Sequence, residues 1–251
     1  MTSAAPTTRA YRRLSVEERR AQLLGAALTL FAHRAPDEVS LDEVATVAGV
    51  SRPLVYRYFP GGRQQLYEAA LRSAAEELIL CFNEPPVGPP TERVQRVLDR
   101  YLAFVDEHDA GFSALLRGGS VVETSRTTAI VDEVRRAAAE QILLHLGRGA
   151  TAARDGRGTR LGMMVRTWIA AVEAASLIWL DEGKQPAAED LRDWLVDQLI
   201  GLLAATAATD PETASAVAQL LPQETAAGPA GRLAQRLIPV VGAAAHLLPG
   251  D

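Results

Sequence analysis

The 251-residue sequence contains one cysteine, Cys81, so neither an internal disulfide nor a multi-thiolate metal site can form within the chain. Strand-forming residues are scarce, whereas Ala, Leu, Arg and Glu are abundant, which predicts an all-α protein. The four histidines share no spacing typical of a metal site, and neither a nucleophile elbow nor a phosphate-binding loop is present. We therefore expect a protein that is not an enzyme and that binds neither a metal nor a cofactor.

The sequence also lacks an apolar run of the ~18–20 residues that a membrane span needs, and its first residues lack the apolar core of a signal peptide. We expect a cytoplasmic protein with no membrane partner.

The charge is unevenly distributed along the chain. Residues 1–63 carry a net charge of +3, so the rest of the chain carries −8. A mildly basic N-terminal region on an acidic body is typical of a small DNA-reading domain attached to a larger one.

Two capping boxes mark the beginnings of the first two helices. Ser15 and Ser40 each stand three residues before a glutamate, and in such a pair each side chain satisfies an unpaired backbone amide. Gly49 is expected to end the second helix, because glycine adopts the positive φ of a tight helix ending. Ser51 is a good N-cap for a third helix, which tolerates Pro53 in its first turn.

The spacing of Ala45, Gly49 and Val55 indicates a helix-turn-helix motif. Close crossing of two helices needs a small side chain, the turn needs glycine, and the second helix needs an apolar anchor. The third helix has one apolar face and one face of Arg and Tyr, as expected for a helix that reads the major groove. Serine and arginine at helix N-termini are suited to phosphate contacts. The predicted DNA-binding residues are Ser40, Ser51, Arg52, Pro53, Tyr56, Arg57, Tyr58 and Arg63.

Residues 16–72 resemble the N-terminal domain of the tetracycline-repressor (TetR) family. The matching stretch is SLDEVATVAGVSRPLVYRYFPGGRQQLYEA, and its most specific part is VYRYF followed by a short Pro/Gly turn and a helix. The resemblance implies DNA contacts by Ser40 and Tyr56. Arg63 stands where the family usually has a phosphate-contacting lysine, a role that arginine can fill with a different fork geometry.

The rest of the chain reads as a helical body. A Pro-rich linker at 84–90 precedes it, and further helices are expected to about residue 222. The predicted divisions are a flexible arm at 1–14, a helix-turn-helix domain at 15–63, a connecting helix at 64–82, a ligand-binding and dimerisation domain at 91–206 and a C-terminal extension at 207–251. The extension can pack on the body, remain disordered or dock on a partner, and the sequence leaves these three open.

We call the helix-turn-helix domain at 15–63 the head. A chain with one such domain usually acts as a two-fold dimer on a near-palindromic site. Small residues on the helix at about 159–182 and apolar residues on the helix at about 187–205 provide candidate contacts, and the corresponding helices form a four-helix dimer bundle in the TetR family. The alternative is that both stripes belong to the core of one protomer. The predicted homodimer residues are Ala171, Ala174, Ala175, Leu191, Leu195, Leu199 and Leu202.

The resemblance also implies a small-molecule pocket in the body, although each of these side chains can equally be plain core. The candidate lining residues are Tyr101, Phe104, Phe112, Met164, Trp168 and Val172. Together, the sequence predicts a transcriptional regulator that binds double-stranded DNA as a repressor and is released from its operator by a small-molecule effector. The alternatives are a regulator of the same fold controlled by a protein partner instead of a ligand, an activator, and a helical enzyme with a degenerate head.

Overall fold

The computed structural model describes residues 14–118, 125–146 and 159–243, and all regular secondary structure in these ranges is helical. The predicted all-α fold is therefore confirmed. The predicted flexible arm, apart from Leu14, lies outside the described residues. The α-helices are α1 (Val16–Phe31), α2 (Leu41–Val47), α3 (Arg52–Tyr58), α4 (Gly62–Cys81), α5 (Pro90–Glu107), α6 (Asp109–Gly118), α7 (Ser125–His145), α8 (Arg160–Asp181), α9 (Ala188–Ala207), α10 (Pro211–Leu220) and α11 (Pro229–Ala243).

Local sequence signals set the ends of the first helices. Both predicted capping boxes are present, with Ser15 bonded to Glu18 at the start of α1 and Ser40 bonded to Glu43 at the start of α2. Gly49 has φ +64° in the turn between α2 and α3, as predicted. The side chain of Gln22 donates to the carbonyl of Ala48 over 2.8 Å and so ties α1 to this turn.

The linker after α4 is pinned to the body by a buried carboxylate. The side chain of Glu84 is 3% exposed and accepts hydrogen bonds from Arg96 Nε at 2.6 Å and from Arg100 Nη1 at 2.8 Å. Burial raises the pKa of Glu84, but the hydrogen bonds from Arg96 and Arg100 outweigh it and hold the pKa below its ordinary value. Both arginines also donate to backbone carbonyls of the linker or of the end of α4. The connection between head and body therefore has a fixed geometry.

One continuous apolar core runs from the head into the body. The rings of Phe31 in α1 and Tyr67 in α4 meet edge to face, with centroids 4.7 Å apart. Gly111 in α6 lies so close to α1 and α4 that an added Cβ would be 3.5 Å from Leu28 Cδ1 and 3.8 Å from Ala74 Cβ. Because α1 and α4 pack on the body, the head cannot rotate without shifting body helices.

Helix α8 is long and apolar enough to cross a membrane by length and composition, with a mean hydropathy of 1.4 over its most apolar window. The sequence prediction had found no such run. In the structure α8 packs against α7 and α9, and nearly half of that window is buried. These contacts are those of a core helix of the body, so the same composition is explained by packing.

The C-terminal extension, as far as residue 243, packs on the body. Asp210 caps α10, which contacts α9, and Arg236 in α11 forms a two-bond ion pair with Asp197 in α9 at 2.8 Å. Of the three possibilities left open by the sequence, the structure shows packing for this part. Helix α11 was not predicted, because its Ala, Gly and Pro content, including Pro239 inside the helix, hides the helical pattern.

Candidate DNA-binding surface and ligand cavity

Helix α3 is divided into a buried face and an exposed face. Val55 and Phe59 are fully buried and anchor the helix in the head, and Arg20 stacks over the ring of Phe59 at 5.1 Å. The opposite face is open to solvent and holds Arg52, Pro53, Tyr56 and Arg57. The division is the one predicted, and it leaves a short polar helix face free to enter a groove.

Arg52 is held at the surface by two neighbours. Its Nη1 pairs with Asp42 Oδ2 at 3.1 Å, and its guanidinium lies 5.5 Å from the ring centre of Tyr56. The hydrogen bond to Tyr56 and the charge of Asp42 raise the pKa of Arg52. An exposed pair of this kind is weak because water screens it, so DNA can displace Asp42 at small cost. The guanidinium is thus ordered and still available to a base edge.

Ser51 occupies the N-cap position of α3 but makes no side-chain cap hydrogen bond, which corrects the prediction that it caps the helix. The reason is local. Pro53 has no amide hydrogen, and the amide of Leu54 donates to the backbone carbonyl of Ser51 at 2.9 Å instead. The exposed hydroxyl of Ser51 therefore remains available to a phosphate.

The first turn of α2 carries a strongly ionised carboxylate. Glu43 accepts from Arg34 Nη1 at 2.7 Å and from the amide and hydroxyl of Ser40 at 2.8 Å. The bond from Arg34, followed by those from Ser40, lowers the pKa of Glu43 to about 2. The hydroxyl of Ser40 is thus engaged in the cap, and its predicted DNA contact stays a prediction.

Two further predicted residues lie beside this surface. Arg63, in the first turn of α4, is exposed and donates to the carbonyl of Asp37 at 2.8 Å. Tyr58 is half-buried against the core, with the guanidinium of Arg57 5.8 Å from its ring centre. The hydrogen bond to the backbone therefore orders Arg63 in the absence of DNA. Tyr58, in contrast, mainly packs against the core of the head.

The structure corrects part of the predicted dimer surface. Leu191, Leu195 and Leu199 are 5%, 0% and 2% exposed and form the face of α9 that packs inside the protomer. The carbonyl of Leu195 accepts a buried hydrogen bond from Trp168 Nε1 at 3.0 Å. Because α9 has apolar residues on two faces, its sequence periodicity does not distinguish the face buried in the protomer from the exposed face. The predicted leucines lie on the buried face. Ala171, Ala174, Ala175 and Leu202 are at least partly exposed and stay a prediction.

An apolar stripe of the same two helices faces solvent. On α8 it is formed by side chains at spacings of three and four residues, and on α9 by Trp194, which is 53% exposed, with small residues two and three turns beyond. We call this the α8–α9 stripe. Its members are Met163, Thr167, Ala170, Ala174 and Ile178 on α8, and Trp194, Gly201 and Ala205 on α9.

Helices α4, α5, α7 and α8 enclose a cavity of about 70 Å³, which we call the inner cavity. Of the predicted lining residues, Tyr101, Trp168 and Val172 line it. Phe104, Phe112 and Met164 are buried in the core outside this lining, so the prediction was wrong for these three with respect to the inner cavity. Phe112 supports the site indirectly, because its ring packs edge to face on Tyr101 with centroids 5.8 Å apart.

The polar groups of the inner cavity come mostly from residues that sequence reasoning missed. Arg135 in α7 and Glu173 in α8 form a two-pronged ion pair at 2.9–3.1 Å. Tyr101 is buried beside Ser176, and burial raises the pKa of Tyr101 above its ordinary value. His145, at the end of α7, completes the set. The helical spacing of Val134, Ala138, Ile142 and His145 was the available signal, since it marks one face of α7.

These features define a helix-turn-helix DNA-binding protein with an apolar cavity in its helical body. Residues 23–70 match the family profile described as "Bacterial regulatory proteins, tetR family", and residues 90–202 match "Tetracyclin repressor-like, C-terminal domain". A tetR-family transcriptional regulator from Streptomyces coelicolor is 47% identical, with a TM-score of 0.79, over 91% of this chain and 100% of that chain. The chain belongs to the TetR family of DNA-binding transcriptional regulators, whose members are not enzymes.

Curated relatives match over shorter stretches. The HTH-type transcriptional activator FasR of Mycolicibacterium smegmatis is 34% identical over 114 residues, which is 44% of this chain and 51% of FasR. An HTH-type transcriptional repressor of Mycobacterium tuberculosis is 33% identical over 101 residues, or 40% of this chain and 52% of that protein. The chain thus spans about half the length of the curated relatives it matches. Because one relative is an activator and the other a repressor, they do not decide the sign of regulation.

Proposed function

We propose that this protein is a cytoplasmic, homodimeric repressor that leaves a near-palindromic operator when a small molecule enters the inner cavity. One observation carries the proposal. Helix α4 begins beside the DNA-reading surface, where Arg63 lies, and ends at the inner cavity, which Leu78 and Phe82 line. The 20 residues of α4 span about 30 Å, so one rigid element joins the two sites.

The mechanism follows from differential binding. A ligand shifts the position of the heads only if it binds more tightly to a body in which their spacing does not fit DNA. Entry of a ligand larger than the 70 Å³ cavity displaces side chains of α4. The ion pairs of Glu84 with Arg96 and Arg100, which we call the linker pin, transmit the displacement between α4 and α5. In a dimer held by the α8–α9 stripe, even a small rotation of each α4 changes the distance between two heads.

A second candidate is a regulator of the same fold that responds to a protein partner. The observation that favours it is the exposed apolar end of α11, where Leu237, Ile238, Val240 and Val241 are 45–69% exposed. Such a patch is typical of a protein-contact surface. In that case, removal of the apolar side chains would change regulation in cells, and no small molecule would change operator affinity.

The test begins with selection of operator fragments from genomic DNA by the purified full-length protein. The affinity for the selected operator is then measured for the wild type, Tyr56→Ala and the control Gln219→Ala, which is exposed on α10 outside the α8–α9 stripe. We expect Tyr56→Ala to lose specific binding and Gln219→Ala to retain it. Selection of no fragment, or equal binding by all three proteins, would contradict DNA reading by α3.

A further inference from the structure

A second apolar cavity adjoins the inner cavity. It has a volume of about 150 Å³ and lies between α5, α7, α9 and the C-terminal extension; we call it the C-terminal cavity. The two cavities share Val94, Ile142 and His145 as lining residues, so these side chains lie where the two spaces meet. Rotamer changes of these side chains would join the two spaces into one elongated and largely apolar channel.

The C-terminal extension builds one wall of the second cavity. Val217 and Leu220 of α10 and Ala230 of α11 line it, beyond the part of the chain that matches the family profile. Glu224 holds this wall against α5, because its carboxylate accepts from the amide of Thr91 at 2.8 Å and from the hydroxyl at 2.6 Å. The extension is therefore a fitted cover over an apolar space.

One polar group stands where the two cavities meet. The Nδ1 atom of His145 lies 3.4 Å from Nη1 of Arg93. Arginine only donates hydrogen bonds, so Nδ1 is the acceptor and the proton of the neutral ring is on Nε2. That Nε2 atom is buried and has no hydrogen-bond partner among the described residues. A buried donor without a partner is costly, and an acceptor on a ligand would satisfy it.

A buried cation lies beside this point. Arg93 is 5% exposed and forms no ion pair with any carboxylate in residues 14–118, 125–146 and 159–243; its guanidinium lies 3.4 Å from both Nδ1 and the carbonyl oxygen of His145. Glu84 also lies near His145, but it is already bonded to Arg96 and Arg100. Burying a guanidinium without a counter-charge is unfavourable, so the junction favours an anion.

We propose that the effector is an elongated aliphatic carboxylate whose chain fills both cavities and whose carboxylate accepts a hydrogen bond from His145 Nε2. The regulatory role of this ligand rests on the proposed function, whereas the binding site itself is independent of it. The two apolar spaces accommodate the chain, the buried Arg93 beside His145 attracts the charge, and the C-terminal extension sets how long a chain is accepted.

The first test is calorimetric titration of the full-length protein with octanoate, decanoate and dodecanoate. Each added methylene that enters an apolar space is expected to strengthen binding about fourfold. Val217→Trp fills the C-terminal cavity and is expected to abolish this gain for the longer chains. The matched control Ala218→Trp adds the same side chain on the exposed side of α10 and is expected to behave as wild type. Equal gains in all three proteins would overturn the proposed path of the chain.

The second test concerns the carboxylate. His145→Phe removes the Nε2 donor and keeps a ring, so dodecanoate is expected to bind at least tenfold more weakly. His145→Gln places an amide donor near the same point and is expected to restore most of the affinity, which separates loss of the hydrogen bond from loss of packing. Dodecylamine has the same chain with the opposite charge and is expected not to bind. Binding of dodecylamine as tight as that of dodecanoate would overturn the assignment of an anion.

Failure of the site and failure of the proposed function give different results. If dodecanoate binds as described but leaves operator affinity unchanged, the site stands and its role as effector site is refuted. If other molecules release the operator, dodecanoate does not bind, and Val217→Trp responds to them as wild type does, the regulatory function stands and the proposed ligand class is overturned.

Discussion

Replacement of Glu84 tests whether the linker pin stabilises the joint between head and body. Glu84→Gln keeps the shape of the side chain but removes the charge that Arg96 and Arg100 share. The side chain of Glu84 is only 3% exposed, whereas those of the two arginines are 42% and 39% exposed. The arginines can therefore be rehydrated after the change, and the loss falls below the 3–5 kcal/mol typical of a fully buried pair that loses one partner.

We expect Glu84→Gln to lower the free energy of unfolding by about 2 kcal/mol, the value for hydrogen bonds to a charged group. For a chain of this size this corresponds to a fall in Tm of roughly 4–8 °C. Thermal unfolding followed by circular dichroism measures the fall. Glu107→Gln is the control, because Glu107 is exposed at the end of α5. A fall of the same size in both variants, or in neither, would refute the role of the pin.

The pH dependence gives an independent check. The pKa of Glu84 is lower in the folded protein than in the unfolded chain, so its stabilising contribution is complete above the unfolded value of about 4.3. The contribution is lost as the pH falls through the lower folded pKa. The difference in stability between wild type and Glu84→Gln should therefore be constant from pH 6 to pH 7, because both values lie above the unfolded and the folded pKa, and should close at acid pH. A difference that grows on acidification would contradict this assignment.

Three further predictions concern the head and the dimer. Gly49→Ala should cost about 1 kcal/mol by chemical denaturation, because φ is +64° and an added Cβ meets no atom within 4 Å; a cost above about 3 kcal/mol would indicate a clash instead. Phe59→Ala should cost about 3–5 kcal/mol and abolish operator binding, since Phe59 is fully buried under α3; unchanged DNA affinity would contradict its anchoring role. Trp194→Glu should convert the dimer to monomer in analytical ultracentrifugation, with helicity by circular dichroism unchanged; a dimer of undiminished stability would exclude the α8–α9 stripe as the interface.

Much of the head could be predicted from sequence because its signals are local. The capping boxes at Ser15 and Ser40 and the positive φ at Gly49 depend on residues within a turn of one another, and all three are present. The failure at Ser51 has an equally local cause, since Pro53 has no amide hydrogen and the amide of Leu54 donates to the backbone carbonyl of Ser51 instead of to its hydroxyl.

The body was harder to predict because its signals are non-local. Periodicity shows that α9 has apolar faces, but it does not show which one the protomer itself buries, and so Leu195 was assigned to the wrong side. Likewise, an aromatic residue on a helix can line a cavity or pack in the core. Only the packing of four helices shows that Trp168 lines the inner cavity and that Phe104 does not. The spacing along α7 indicates the face on which His145 lies, but it does not indicate its contact with Arg93, which is 52 residues away in sequence.

The central claim is that α3 reads bases while the neighbouring helix N-termini hold phosphates. The direct measurement is the affinity of wild type, Arg52→Ala and Arg63→Ala for the operator and for operators with single base-pair changes, over a salt series. The account predicts that Arg52→Ala loses about 1–3 kcal/mol of discrimination at one base pair. It predicts that Arg63→Ala weakens all sequences alike and reduces the salt slope by about one. If Arg52→Ala keeps the full discrimination of the wild type at every base pair, α3 does not read the operator through Arg52, and the account is contradicted.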